Sequence, residues 1–196
     1  MENILGAILS QLDDNSIQAI SNKAHASPDR TKSALGSAIP ILMNALAKNS
    51  SSGDGAAALK SALERDHDGS LLDNLGSFLN NPEQANGAGI LKHVLGSKRQ
   101  NVEQYISRDS GLDKSAVVKI LEMAAPIVMG YLGKKNRGTG GGAVESVLNS
   151  YLNDERKQSP QSQSVINQLL DRDNDGNVMD DIAELGMSFL GRMRRR

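Results

Sequence analysis

The sequence predicts an all-α protein, a multihelical array of about ten helices in two tandem pseudo-repeats with no β-sheet. Three observations carry this. Apolar residues recur at helical spacing, as at Ile4, Leu5, Ile8, Leu9 and Leu12, and no stretch alternates apolar and polar for long enough to make a strand. Two long apolar segments each hold a central proline, Pro40 and Pro126, at an offset of 86 residues. The same gapless offset pairs Ser21 with Ser107, Leu35 with Leu121, Met43 with Met129, Leu46 with Leu132 and Lys48 with Lys134, the mark of a tandem duplication.

Taken in order, the first helix starts at Ile4 and is ended by Asp13-Asp14-Asn15, and a short second helix covers Ser16–His25. Ser27 as N-cap with Pro28 at the first helical position opens a long helix to about Lys48. Pro40 inside it predicts a kink or break near Ile39. After the Ser/Gly loop Asn49–Gly55, Asp54 is expected to cap a helix Ala56–Glu64 that runs into an acidic stretch, and Leu71–Leu79 follows as another helix. Asn80-Asn81-Pro82 closes a first repeat of residues 1–80. In the second repeat, residues 86–196, Leu91, Leu95, Val102 and Ile106 mark two short helices, and Leu112–Lys135 is the second long one. An insertion near residues 153–163 reads as a mobile polar segment, and a final helix is expected from Val178 to about Met193.

Composition narrows the class. Trp is absent, with two Phe and three Tyr, so the core must be built from Leu, Ile, Val, Ala and seven Met. A net charge of −1 calls for neither nucleic acid nor an anionic membrane. The lack of cysteine excludes disulfides, thiolate metal sites and cysteine nucleophiles. No signal peptide is evident after Met1-Glu2-Asn3, and no window of about 18 residues reads as a transmembrane segment, so a cytoplasmic location is expected.

The chemistry concentrates in two acidic loops. Residues 171–181 read Asp-Arg-Asp-Asn-Asp-Gly-Asn-Val-Met-Asp-Asp. Carboxylates at alternating positions, Asp171, Asp173 and Asp175, converge on a hard cation when Gly176 turns the chain, Asn177 offers its carbonyl and Val178 tethers the loop. The twelfth place of such an EF-hand-like loop, usually a bidentate Glu, holds Ile182; Asp180 and Asp181 arrive early and Glu184 late, so the last ligand must come from the first turn of the next helix. Residues 64–74 form a paler copy in which Glu64, Asp66, Asp68, Ser70 and Asp73 are the candidate ligands around Gly69. Calcium is the expected cofactor; magnesium wants fewer protein ligands and a stricter octahedron. A plainer reading stands beside this one: Asp-Gly is a turn signal, and Ser70 with Asp73, or Asn177 with Asp180, is a helix-capping arrangement that needs no ion.

Other motifs point less sharply. His25, His67 and His93 include no pair at metal-ligand spacing on one helix. Gly138-Thr-Gly-Gly-Gly142 lacks the Gly-Lys-Ser/Thr of a phosphate loop and reads as a helix connection. Met123, Met129, Met179, Met187 and Met193 read as core, with a Met-lined groove for a partner helix as the other choice. No nucleophile, acid pair or oxyanion signature stands out, so no enzymatic activity is expected.

The run Gly111-Leu-Asp-Lys-Ser-Ala-Val-Val-Lys-Ile-Leu-Glu-Met-Ala-Ala-Pro-Ile-Val-Met-Gly-Tyr-Leu-Gly-Lys134, with the acidic segment Asp66–Gly69, resembles the bacterial domain-of-unknown-function family nine-three-seven, which has YidB-like relatives. The resemblance implies a small multihelical bacterial protein without cofactor, and it implies no activity. The expected function is therefore a non-enzymatic, calcium-binding helical protein with a structural or interaction role, its partner an unknown protein or a second copy. The alternative is a nucleic-acid-associated protein using short helices and the basic tail Arg192, Arg194, Arg195 and Arg196.

Overall fold

The computed structural model describes residues 4–137 and 143–171, and none of these is in a strand. Two long helices form the centre: α3 (Pro28–Asn49) and α9 (Lys114–Arg137) pack against each other along their apolar lengths. Their starts are set by short polar side chains. Ser27 accepts from the Arg30 N–H at 3.5 Å, with Pro28 at the first position, and Asp113 accepts from the Ala116 N–H at 3.0 Å. Both helices run without interruption through Pro40 and Pro126, so of the kink or break expected near Ile39, the break does not occur. Proline removes one ladder bond each time, and Asn44 uses its side-chain amide to donate to the Pro40 carbonyl at 2.9 Å.

Among the described residues, nine further α-helices surround this pair. α1 (Ile4–Leu9), α2 (Asp14–Ala24), α7 (Gly87–Leu95) and α8 (Arg99–Ser110) pack on α3, α9 or both. α4 (Gly53–Arg65) and α5 (Ser70–Asp73) lie against α9. α6 (Leu75–Asn80) touches α2, α10 (Ala143–Gln158) covers α3 and α9, and α11 (Pro160–Asp171) lies on α3 and α10. Short 3-10 turns at Pro82–Ala85 and Gly96–Lys98 flank α7. The core is aliphatic, with Leu35, Ile39, Ile41, Leu42, Met43, Leu121, Val128 and Leu132 each almost fully buried.

Several boundaries differ from the sequence reading for identifiable reasons. Asp13 begins α2 rather than ending the first helix, because its carboxylate accepts from the Ser16 N–H at 2.8 Å. Ser52, not Asp54, caps α4, accepting from the Gly55 N–H at 3.2 Å. The helix expected over Leu71–Leu79 is split at Asn74 into α5 and α6. The stretch near 153–163 is not a loop: α10 continues to Gln158, and α11 opens with Pro160 at its first position, where a missing N–H is harmless. α9 is also long and apolar enough to cross a membrane by length and composition, but 83% of its most apolar window is buried under other helices.

Helix ends recur at the offset of 86. His25, in the left-handed region at φ 56°, ends α2, and Gly111 at φ 67° ends α8; Ser27 and Asp113 are the next caps, and α3 and α9 begin at Pro28 and Lys114. Inside the first of these corners, the buried Ser21 hydroxyl donates to Ile17 O at 2.7 Å and is bonded to Thr31 at 2.9 Å. Arg99 ties α8 to α9, donating to Glu103 at 2.7 Å and to Glu122 at 2.9 Å.

Candidate functional site

The first acidic loop joins α4 to α5 and rests on the C-terminal half of α9. Close approach is possible because α9 presents glycine there. A β-carbon on Gly133 would stand 1.7 Å from the His67 carbonyl oxygen, so the loop backbone sits directly on the helix. Gly69 reciprocates: it turns at φ 96°, and a β-carbon on it would meet Lys134 at 2.8 Å. Gly130 lies under Leu72 at ordinary contact distance.

With the backbone seated, the loop's carboxylates reach separate partners. Glu64 belongs to the last turn of α4 and lies 3.9 Å from Lys60, its i−4 neighbour. Asp66 pairs with the adjacent Arg65 at 3.3 Å. Asp68 accepts from the Ser70 N–H at 3.0 Å, which starts α5, and lies 3.6 Å from Arg137 of α9. Asp73 accepts from Lys134 of α9 at 2.9 Å. Among the described residues no three His, Asp or Glu side chains form a group able to hold a metal ion. The structure thus brings Glu64, Asp66, Asp68, Ser70 and Asp73 into one loop but does not aim them at one point. Of the second loop, Asp171 is the last residue of α11, while Asp173, Asp175, Asn177, Asp180 and Asp181 lie outside the described residues, as do Gly138–Gly142 and the arginine tail.

The electrostatics fit this layout. Hydrogen bonds from the Ser70 side chain and backbone hold the Asp68 carboxyl below the usual carboxylate range, and Arg137 adds to the effect. Burial holds the His67 imidazole below its ordinary value, with Asp66 pulling the other way. The sequence reading found the acids but missed their partners Lys134 and Arg137 and the seat at Gly133. The available signal was the cluster of basic residues closing the second long helix beside two glycines.

A separate cleft of about 570 Å³ opens between the end of α2, the start of α7 and the middle of α9. Among its lining groups, Lys23 donates to the Asn80 carbonyl at 2.8 Å and Glu122 is paired with Arg99. Gly87 closes one wall, where a β-carbon would lie 1.8 Å from the Glu122 carbonyl, the acceptor that Pro126 leaves without its helical N–H.

No curated protein and no solved structure matches the chain. A family match spans residues 7–135, from α1 almost to the end of α9, and so takes in both proline-centred helices and the first acidic loop. By that match the chain belongs to the family described as bacterial protein of unknown function, DUF937.

Proposed function

We propose that the protein is a non-enzymatic helical protein of structural or interaction role, in which acidic loops fasten peripheral helices to the two central ones and calcium completes the second loop. The observation that carries the first half is the seating of residues 66–73 on α9, with Asp68 answered by Arg137 and Asp73 by Lys134. There the protein's own cations neutralise the loop, and an added ion would have to displace them.

The second loop supports a different use of the same chemistry. Its three alternating carboxylates, Asp171, Asp173 and Asp175, carry more negative charge than a turn or cap requires, and Asn177, Asp180 and Asp181 offer further oxygens. It begins beside α3: Lys48, the residue at offset 86 from Lys134, donates to the carbonyl of Leu170 at 3.5 Å. Residues 1–80 and 86–196 are, on this proposal, duplicated halves. The partner is another protein or a second copy, and the location is cytoplasmic. Titration calorimetry with calcium tests the metal assignment: one site is expected, lost in Asp173→Asn and kept in Asp66→Asn. Heat that is unchanged by Asp173→Asn would place the ion elsewhere.

A further inference from the structure

We propose that α10 and α11 form a releasable hairpin that exchanges between two copies of the chain, each hairpin docking on the α3–α9 face of the other copy. The proposal does not depend on the calcium reading. It starts from how the hairpin is held. Val144, Leu148, Tyr151, Ile166, Leu169 and Leu170 are its buried apolar contacts. Between them runs a polar seam. Gln163, 4% exposed, uses its amide N–H to bond Asn44 of α3, and donates also to Asn167 at 3.2 Å.

Among the described residues, two atoms of this seam have no hydrogen-bond partner: the Gln163 side-chain oxygen and the hydroxyl of Tyr151, a residue 1% exposed. A buried polar atom left unpaired gives up its hydration and gets nothing back, so each one weakens the docked state against the open one. Local opening free energies vary across a fold, and a peripheral hairpin weakened in this way lies toward the lower end. The family match ends at residue 135, so the hairpin lies outside the matched unit and packs on it from the end of α9.

α9 ends at Arg137 and α10 begins at Ala143, so five residues, four of them glycine in the sequence, join the hairpin to the central helices. What fits the uncovered α3–α9 face is defined by what already lies on it. A second copy presents the same apolar set and the same Gln163 for Asn44, so exchange repeats every contact and requires no new interface. The dimer then competes by mass action.

The chain has no native cysteine, which permits a direct test. Asn44→Cys and Gln163→Cys single variants are mixed, concentrated, oxidised and run on a non-reducing gel. A mixed disulfide dimer is expected, because residue 44 of one copy meets residue 163 of another only after exchange. The Asn44→Cys/Gln163→Cys double variant, oxidised when dilute, should give the intramolecular bond and so show that both substitutions leave the fold intact. In parallel, light scattering of the unmodified chain should show the dimer-to-monomer ratio rising tenfold for a tenfold rise in monomer concentration. A chain that stays monomeric and gives no mixed disulfide overturns the proposal, as does a dimer without it. If the cysteine variants do not fold, deletion of residues 138–142 decides. Fusing α9 to α10 prevents the hairpin from folding back, so a dimer is expected and a monomer contradicts exchange.

Discussion

The backbone carbonyl of His67 is pressed against Gly133, close enough that a β-carbon on that glycine would lie 1.7 Å from the oxygen. Gly133→Ala should therefore unseat the first acidic loop and destabilise the protein by about 1–3 kcal/mol through overpacking. Gly130→Ala is the control: its β-carbon would stand 3.5 Å from Leu72, an ordinary contact. In the same helix it should be neutral or stabilising by about 0.5–1 kcal/mol, since alanine is the better helix former. Urea unfolding midpoints separate the two, and equal effects would contradict the close seating.

Acid should loosen this loop before it loosens the rest. His67 is held below 6.5 when folded, mainly by burial. Unfolding restores the ordinary value, so below 6.5 the unfolded chain takes up a proton that the folded chain resists. The His67 contribution is complete above that pH and is lost as pH falls. The lowered carboxyls Asp68 and Asp113 act in the same direction, at the lower pH where carboxylates protonate. His67→Gln should flatten the decline of stability just below 6.5 and leave the more acidic limb intact. An unchanged profile would show that the imidazole is not desolvated in the fold.

The matched corners of the two long helices make a paired prediction. His25 and Gly111 both end a helix in the left-handed region, at φ 56° and 67°. A side chain is strained there, so His25→Gly should stabilise by about 0.5–1 kcal/mol and Gly111→Ala should destabilise by about 1 kcal/mol. Opposite signs, read from thermal midpoints, support a shared corner geometry. Two changes of the same sign contradict it.

Tyr151 carries a test of the polar seam under the α10–α11 hairpin. Tyr151→Phe keeps the buried ring and removes a hydroxyl that has no partner among the described residues. Against the usual loss from a change in a core, the variant should be neutral or up to about 2 kcal/mol more stable. Calorimetric destabilisation beyond about 1 kcal/mol would mean that the hydroxyl is hydrogen-bonded in solution.

Much of the helical frame was legible in the sequence because its signals are local. Ser27-Pro28 announces the start of α3, and the buried Leu35, Ile39, Leu42 and Leu46 repeat at helical spacing. Asp13 misled because an acid between two apolar runs reads equally as the end of one helix or the cap of the next. The stretch 153–163 misled because it is polar, although Glu, Arg, Lys and Gln are good helix formers; the apolar contacts that hold it come from Tyr151 and Ile166 on either side. At the site, the carboxylates were visible, but their placement was not. Lys134 is 61 residues from Asp73, and no local pattern says that a glycine on α9 will receive the carbonyl of His67.

The most direct test of the proposed calcium role is thermal melting in calcium, in magnesium and in chelator, for the wild type, Asp173→Asn and Asp66→Asn. Calcium a hundredfold above its Kd stabilises the folded state by about 2.7 kcal/mol, which for a chain of this size raises the midpoint by roughly 5–10 °C. That rise is expected with calcium for the wild type and for Asp66→Asn, whose carboxylate is already paired with Arg65, and it should vanish in Asp173→Asn. Identical wild-type melting in all three solutions would contradict the calcium role and leave the acidic loops as turns, caps and ion-paired clasps.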